Sequence, residues 1–309
     1  MYRLPFFFMK LSSYILLLVI FFSSVCFAAD WNTADSGWVR IHYHSDDIQN
    51  LSPIFQSLHS GRSMLYQRMG VAYRDSFVIY LASKPAEFGE ITGWKLPKWT
   101  GAVAMPGRRT VVLKSPRFSG NINELAQTTV HEFIHIALGA EIGQLPVWMN
   151  EGLAVFLSGE GYFDSRELAQ AAAGKDVLSF REMEEVMRYN SPKAALVYQQ
   201  SLSAVRYLVS EFGPEVLHRL ADYMSNGADF EQAFFRATGL YAVEFEDEWM
   251  KRMESEYRWA FLKDLTYYLS LVFAPLALIA GLILWRRRRR LVRQWQREDI
   301  YLDDDFYNY

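Results

Sequence analysis

A pentapeptide near the middle of the chain combines residue types that bind metal ions with one that can accept a proton. It reads His131-Glu132-Phe133-Ile134-His135. On an α-helix, side chains four positions apart lie one turn from each other on the same face, so the two imidazoles can bind a single metal ion. The intervening Glu132 points near the same site, where a carboxylate can take a proton from metal-bound water. The pattern therefore predicts a zinc ion, a water nucleophile and a hydrolytic reaction.

A third metal ligand must come from another part of the chain, because catalytic zinc usually has three protein ligands and one water. Residues 148–154 offer Glu151 on the next predicted helix, after a loop that could turn this carboxylate towards the histidines. Gly152 has no side chain and would let the two helices approach closely. Glu141, directly after the histidine helix, is the other candidate for the third ligand.

The two motifs together resemble those of the gluzincin metallopeptidases. The histidine pentapeptide is followed at residues 146–154 by the sequence PVWMNEGLA. The combination is most similar to the bacterial peptidase MA-like domains, which are often exported and tethered to membranes, and the resemblance covers roughly residues 38–255. It implies zinc-dependent peptide hydrolysis, with Glu132 as the general base and Glu151 as the third ligand beside His131 and His135.

The interval between the motifs departs from the pattern of some relatives. Fifteen residues separate His135 from Glu151, fewer than in thermolysin-like or aminopeptidase-like enzymes. Glu141 would suit a different zincin subclass, but the glycine and histidine pattern that such a subclass has after its second histidine is absent. We therefore favour Glu151 over Glu141.

The same resemblance draws attention to a tyrosine and a strand. Tyr198 lies where similar domains have a tyrosine on a helix that faces the metal, and its phenol could donate a hydrogen bond to the tetrahedral oxyanion. A tyrosine packed in the core would explain this position equally well. Residues 101–104 resemble the edge strand that gluzincins pair with an extended peptide, although an ordinary hairpin strand accounts for them almost as well.

The remaining histidines lack such a context. His42 and His44 alternate onto one face of a predicted strand, and nothing in the sequence pairs them with a carboxylate, so we predict surface positions. His59 and His218 are isolated in predicted helices and are interpreted as structural residues.

The elements that must position the motifs predict an α+β chain. Alternating or β-branched runs indicate strands at residues 38–43, 77–82, 101–105 and 110–113. Asn121 and Glu124 resemble a capping box that would begin the histidine helix, and Gly139 is a candidate for its end. Other predicted helices cover residues 53–69, 147–157, 165–173, 179–189, 191–212, 214–226, 230–238 and 245 onward.

These elements fit a zincin-like fold with two lobes. The expected catalytic domain covers residues 30–263, with a small mixed α/β lobe at residues 30–120 and a helical lobe at residues 121–263. One transmembrane helix is expected to follow this domain.

Both ends of the chain carry apolar segments. Residues 1–29 have the anatomy of a secretory signal, with basic residues before an apolar stretch and small residues near Ala28; an uncleaved signal anchor is the alternative. Residues 264–285 form the predicted transmembrane helix, with about 21 uncharged residues, enough to cross a bilayer. The five arginines at residues 286–290 mark the cytoplasmic side, so residues 286–309 are expected to be a cytoplasmic tail. A buried core helix is the alternative interpretation of this segment.

Charge and cysteine content exclude some classes of function. The net charge of −3 gives no argument for a nucleic-acid partner. Cys26 is the only cysteine and lies in the predicted signal segment, so the exported domain would have neither a disulfide nor a thiol nucleophile.

The features together predict a single-pass, membrane-anchored zinc peptidase. Its catalytic domain would act outside the cytoplasm on peptides or proteins, and the lipid bilayer would hold its C-terminal helix. The alternative is a membrane-tethered, zinc-binding interaction module of the same fold that has no turnover.

Overall fold

The computed structural model describes residues 31–93, 96–97, 99–119, 124–159, 165–174, 176–258 and 260–306 of the 309-residue chain. The predicted signal segment, residues 1–29, lies outside the described residues, and so does the predicted cap residue Asn121.

A five-stranded mixed sheet forms the N-terminal part of the fold. Its strands are β1 (Asn32–Asp35), β2 (Val39–Tyr43), β3 (Phe77–Ala82), β4 (Ala102–Met105) and β5 (Thr110–Lys114). Their order in the sheet is β1-β2-β3-β5-β4, with parallel inner strands and an antiparallel strand at each edge. Four strands are confirmed, whereas β1, with its polar sequence NTAD, was not predicted.

The register of the parallel strands builds one apolar face. Ile41 pairs with Ile79, and Ile79 pairs with Val111. All three side chains are buried, because successive residues of a strand alternate between faces and these three point to the same one. The sheet therefore presents a continuous β-branched surface to the helices.

Helices form most of the remaining described chain, in agreement with the predicted α+β class. They are α1 (Leu51–Met69), α2 (Pro85–Thr92), α3 (Pro116–Ser119), α4 (Leu125–Glu141), α5 (Val147–Ser158), α6 (Ser165–Gly174), α7 (Phe180–Met183), α8 (Ser191–Phe212), α9 (Val216–Ser225), α10 (Phe230–Thr238), α11 (Ala242–Arg258) and α12 (Ala260–Phe306). The sequence predicts most of them to within a few residues but misses α2 and α3. Helix α1 ends as expected before Gly70, which adopts a left-handed backbone with φ of 70°.

One part of the main core lies between the sheet and helix α4. Phe133 of α4 contacts the rings of Trp38, Tyr73 and Phe77 at centroid distances of 5.5, 5.5 and 5.6 Å. Because Phe133 is two positions from each histidine of the pentapeptide, it points away from them. Its burial against the sheet therefore directs the histidine face of α4 towards the other side of the helix.

The predicted C-terminal end of α4 is wrong. The helix continues through Gly139 to Glu141. A Cβ atom at Gly139 would lie 2.9 Å from Cβ of Pro106, in the turn between β4 and β5. The glycine thus allows the helix to pack closely on this turn instead of ending it.

The single helix predicted at residues 179–189 is also wrong. The segment contains the short helix α7 and a separate 3-10 turn at Val186–Arg188. The Tyr189 hydroxyl donates a hydrogen bond to the Glu182 carbonyl at 2.7 Å. This contact links the end of the 3-10 turn to helix α7 across the break between them.

His44 differs from its predicted environment. Its Nε2 atom lies 3.1 Å from Oε1 of Glu87, and both side chains are largely buried. Glu87 belongs to α2, the helix that the sequence did not predict. The carboxylate partner of His44 was not predicted because the helix that carries it was not predicted.

The C-terminal helix α12 differs from the other helices in its exposure. Within it, the 25-residue segment Leu269–Arg293 is long and apolar enough to cross a membrane, and none of it is buried. Pro275 lies inside the helix without ending it. This segment overlaps the transmembrane helix predicted at residues 264–285.

Candidate metal centre

Helix α4 positions the two histidines of the pentapeptide. Val130, Ile134 and Leu138 of this helix are buried, and they hold it against the rest of the fold. The rings of His131 and His135 lie one turn apart, with centroids separated by 4.8 Å. Each side chain is only 10% exposed, so both imidazoles are held in a largely desolvated place.

Helix α5 carries Glu151 to the same place. Its neighbour Gly152 lies against α8, where a Cβ atom would be 2.4 Å from the carbonyl oxygen of Ser201. Trp148, one turn before, stacks on Phe180 with ring centroids 4.1 Å apart. The close approach at Gly152 and the stacked Trp148 fix the depth and rotation of α5, and hence the direction of Glu151.

The three side chains converge as metal ligands would. Among the described residues, they are the one group whose donor atoms all lie within 4.8 Å of one another. Oε2 of Glu151 is 3.4 Å from Nε2 of His131 and 3.5 Å from Nε2 of His135. In a tetrahedral zinc site with metal–ligand distances of about 2.0–2.1 Å, neighbouring ligand atoms are about 3.3 Å apart. The residues present therefore fit a metal ion of this kind.

The electrostatics of the group favour a charged glutamate. Burial by itself raises the pKa of Glu151, but the neighbouring imidazoles of His135 and His131 outweigh this effect and hold the pKa well below its usual range. Burial lowers the pKa of His135, yet the Glu151 carboxylate outweighs this effect and the pKa lies above its ordinary value. A cation at this position is thus stabilised, whether it is a proton on the imidazole or a metal ion.

A cavity of about 410 Å³ opens in front of the three side chains. Glu132, 8% exposed, lines it together with His131, His135 and Glu151. Asn150, which precedes Glu151, also lines the cavity. The predicted base therefore lies in the same space as the predicted metal ligands.

Tyr198 of α8 faces this cavity. Its ring centroid is 6.4 Å from that of His131, with the two rings nearly perpendicular. Of the two placements that the sequence left open, the structure has the tyrosine beside the histidines.

The edge strand β4 forms another wall of the cavity. The amide of Lys114 donates to the carbonyl of Gly101 at 3.1 Å, and Val103 is the partner of Val112 in the register. In an antiparallel ladder, inward-directed and outward-directed residues alternate. The backbone groups of Ala102 and Ala104 therefore point away from β5, towards the open edge of the sheet.

Glu141 lies elsewhere. It lines a separate cavity together with Asp75, His218 and Asp222. The structure thus brings Glu151, not Glu141, to the two histidines.

Two residues that line the cavity were not identified as site residues by any pattern in the sequence. Trp99 lies in the loop before β4, and Met187 lies in the 3-10 turn at Val186–Arg188. Neither belongs to a motif, and they come together only because segments distant in sequence pack against each other.

Comparison with known proteins identifies the family. The model of the Peptidase MA superfamily matches residues 59–255. No curated protein matches the sequence. Among solved structures, aminopeptidase A of Legionella pneumophila in complex with aspartic acid is similar, with 11% identity and a TM-score of 0.45 over 72% of this chain. The chain spans only 28% of the length of that structure. Since the family match extends over more than half of its residues, the chain belongs to the Peptidase MA superfamily.

Proposed function

We propose that this protein is a zinc-dependent peptidase, anchored to a membrane by its C-terminal helix, that hydrolyses extracytoplasmic peptides or proteins. The observation that carries the proposal is the convergence of His131, His135 and Glu151 within 4.8 Å, beside Glu132 in one cavity.

The donor set supports zinc as the metal. Two imidazole nitrogens and one carboxylate oxygen are the ligands of many catalytic zinc sites, which keep a further position for water or substrate. When bound, zinc supplies a Lewis acid that polarises the attacking water and the carbonyl of the scissile bond.

Glu132 and Tyr198 provide the remaining chemistry. Glu132 accepts the proton of the attacking water and then delivers it to the leaving amine. Tyr198 donates a hydrogen bond from its phenol to the carbonyl oxygen as negative charge develops there. The position of both side chains in the cavity supports these roles.

The open edge of β4 supports binding of an extended peptide. Outward-directed N–H and C=O groups at Ala102 and Ala104 can extend the sheet by one strand of substrate. Such pairing uses only the backbone, so it would hold the scissile bond beside the metal without regard to most substrate side chains.

The C-terminal helix supports a membrane anchor. The arginines at residues 286–290 follow the apolar part of α12, and basic residues flank spans on the cytoplasmic side. We therefore place the peptidase domain outside the cytoplasm, and we assign an export signal to residues 1–29.

The test is the substitution Glu132→Gln, which keeps the shape of the side chain and removes its basicity. We expect normal zinc content, measured by atomic absorption, and a loss of peptide hydrolysis of about 100-fold or more. Zinc-loaded wild-type protein that cleaves no member of a peptide library, or a Glu132→Gln variant with full activity, would contradict the proposal.

A further inference from the structure

One wall of the cavity is apolar and takes no part in the proposed chemistry. It consists of Trp99 and Met187, here called the apolar wall. Met187 is 47% exposed, whereas the adjacent Val186 is buried. Covering a large apolar side chain of this kind removes its surface from water and is favourable. The wall thus offers binding energy to an apolar group that enters the cavity.

Hydrogen bonds hold the apolar wall in place before any ligand binds. Nε1 of Trp99 donates to the carbonyl oxygen of Tyr189 at 3.1 Å, two positions after Met187. Tyr189 is itself fixed, since its hydroxyl bonds the Glu182 carbonyl and the Lys193 ammonium lies 4.1 Å above its ring. A preformed wall needs little ordering upon binding, so more of the contact energy appears as affinity.

The charged side chains that line the cavity are those to which the proposed function already gives a role as metal ligand or catalytic group. Among the described lining residues, the titratable side chains are His131, Glu132, His135, Glu151 and the Tyr198 phenol. The apolar wall offers no ionic partner of its own. A charged substrate side chain placed against Trp99 and Met187 would lose part of its hydration and gain no ionic partner from these two side chains, which is unfavourable.

We propose that Trp99 and Met187 form a specificity subsite that binds a large aliphatic or aromatic side chain of the peptide substrate. The inference rests on the proposed peptidase function. The apolar wall and the open edge of β4 line the same cavity, and side chains of a strand paired with Ala102 and Ala104 project out of the plane of the sheet. The substrate class is therefore an extended polypeptide with a hydrophobic residue beside the scissile bond.

Cleavage-site profiling tests this subsite. Full-length protein in detergent is incubated with a library of unstructured peptides, and the cut positions are read by mass spectrometry. We expect large apolar residues to be enriched about tenfold or more at one position beside the cleaved bond. Met187→Asp should abolish the enrichment and Met187→Leu should retain it.

Ile48→Asp is the matched control, because Ile48 is 61% exposed and does not line the cavity. It should leave the profile unchanged. An absence of enrichment in the wild type, or an enrichment that persists in Met187→Asp, overturns the subsite.

Binding to the Glu132→Gln protein separates this inference from the peptidase function. Two fluorescent peptides that differ only in one central residue, Leu or Asp, are titrated and followed by anisotropy. We expect the Leu peptide to bind about tenfold more tightly, and Met187→Asp to remove this difference. If the wild type cleaves nothing while the Met187-dependent difference remains, the peptidase function fails and the subsite stands. If the two peptides bind with equal affinity and the wild type does cleave peptides, the subsite is refuted and the peptidase function stands.

Discussion

Within little more than one turn, helix α4 carries side chains with opposite physical requirements. His131 and His135 need a partly polar place and a neighbouring negative charge, which Glu151 supplies from another helix. Phe133 needs an apolar place and finds it against the sheet. Glu132 must keep access to the cavity. Helical geometry satisfies all of these needs because successive side chains are rotated by about 100°.

Tyr198 allows a test at the level of one hydroxyl group. Tyr198→Phe keeps the ring that lies 6.4 Å from His131 and removes only the proposed donor. We expect kcat to fall about 10- to 100-fold with little change in KM or zinc content, since the hydrogen bond forms chiefly in the transition state.

Steady-state kinetics on one peptide would check this expectation. Tyr207→Phe is a suitable control, because Tyr207 lies on the same helix but lines a different cavity. An unchanged kcat in Tyr198→Phe would exclude the proposed role.

At the scale of elements, the site depends on two close helix contacts. A Cβ atom at Gly61 of α1 would lie 2.9 Å from Val130 of α4, and one at Gly152 of α5 would lie 2.4 Å from the Ser201 carbonyl of α8. The first contact sets α4 against α1, and the second sets α5 against α8. Both distances are shorter than normal packing allows, so these glycines let the ligand-bearing helices reach their positions.

The contact at Gly152 gives a prediction. Gly152→Ala forces α5 away from the backbone of α8, which cannot move as a flexible side chain would. We expect a loss of about 1–3 kcal/mol in the free energy of unfolding and a lower zinc content, because Glu151 is the next residue.

Urea denaturation and metal analysis of the full chain measure the two effects. Gly89→Ala is the matched control: this glycine also lies in a helix, and its Cβ would meet nothing within 4 Å. Because alanine has a higher helix propensity than glycine, Gly89→Ala should increase the free energy of unfolding by about 0.5–1 kcal/mol. A Gly152→Ala variant that behaves like Gly89→Ala would refute the packing argument.

At the scale of the whole molecule, the described part of the chain combines a packed domain with an exposed apolar helix. The family match ends at residue 255, close to the end of α11 at Arg258. None of the segment Leu269–Arg293 is buried by the domain. So much apolar surface is unfavourable in water, and this supports the membrane anchor proposed above.

Removal of α12 tests the division between catalysis and anchoring. A chain that ends at Arg258 should leave the membrane fraction and retain peptide hydrolysis within a few-fold. Carbonate extraction followed by an activity assay of each fraction measures both properties. Retention of the shortened chain in the membrane fraction would show that other residues anchor the protein.

Local features of the sequence determined much of the fold and part of the site. Helix period alone places His131 and His135 on one face. Alternation locates β2, a β-branched and aromatic run locates β3, and two short runs around a turn locate the β4–β5 hairpin. The apolar segment in α12 also follows from composition. These features depend on residues a few positions apart in the sequence. Their geometry is therefore set by local backbone structure and does not require contacts between distant segments.

Only the tertiary structure decided which distant residues share the cavity. It brought Glu151, which the sequence already favoured, and not Glu141 to the histidines, placed Tyr198 beside them, and joined Trp99 to Tyr189 across 90 positions. It also showed Gly139 inside a helix that the sequence predicted it would end. Such outcomes depend on how closely packed surfaces of separate elements meet, at contacts such as Gly152 on Ser201, and no local pattern encodes that fit.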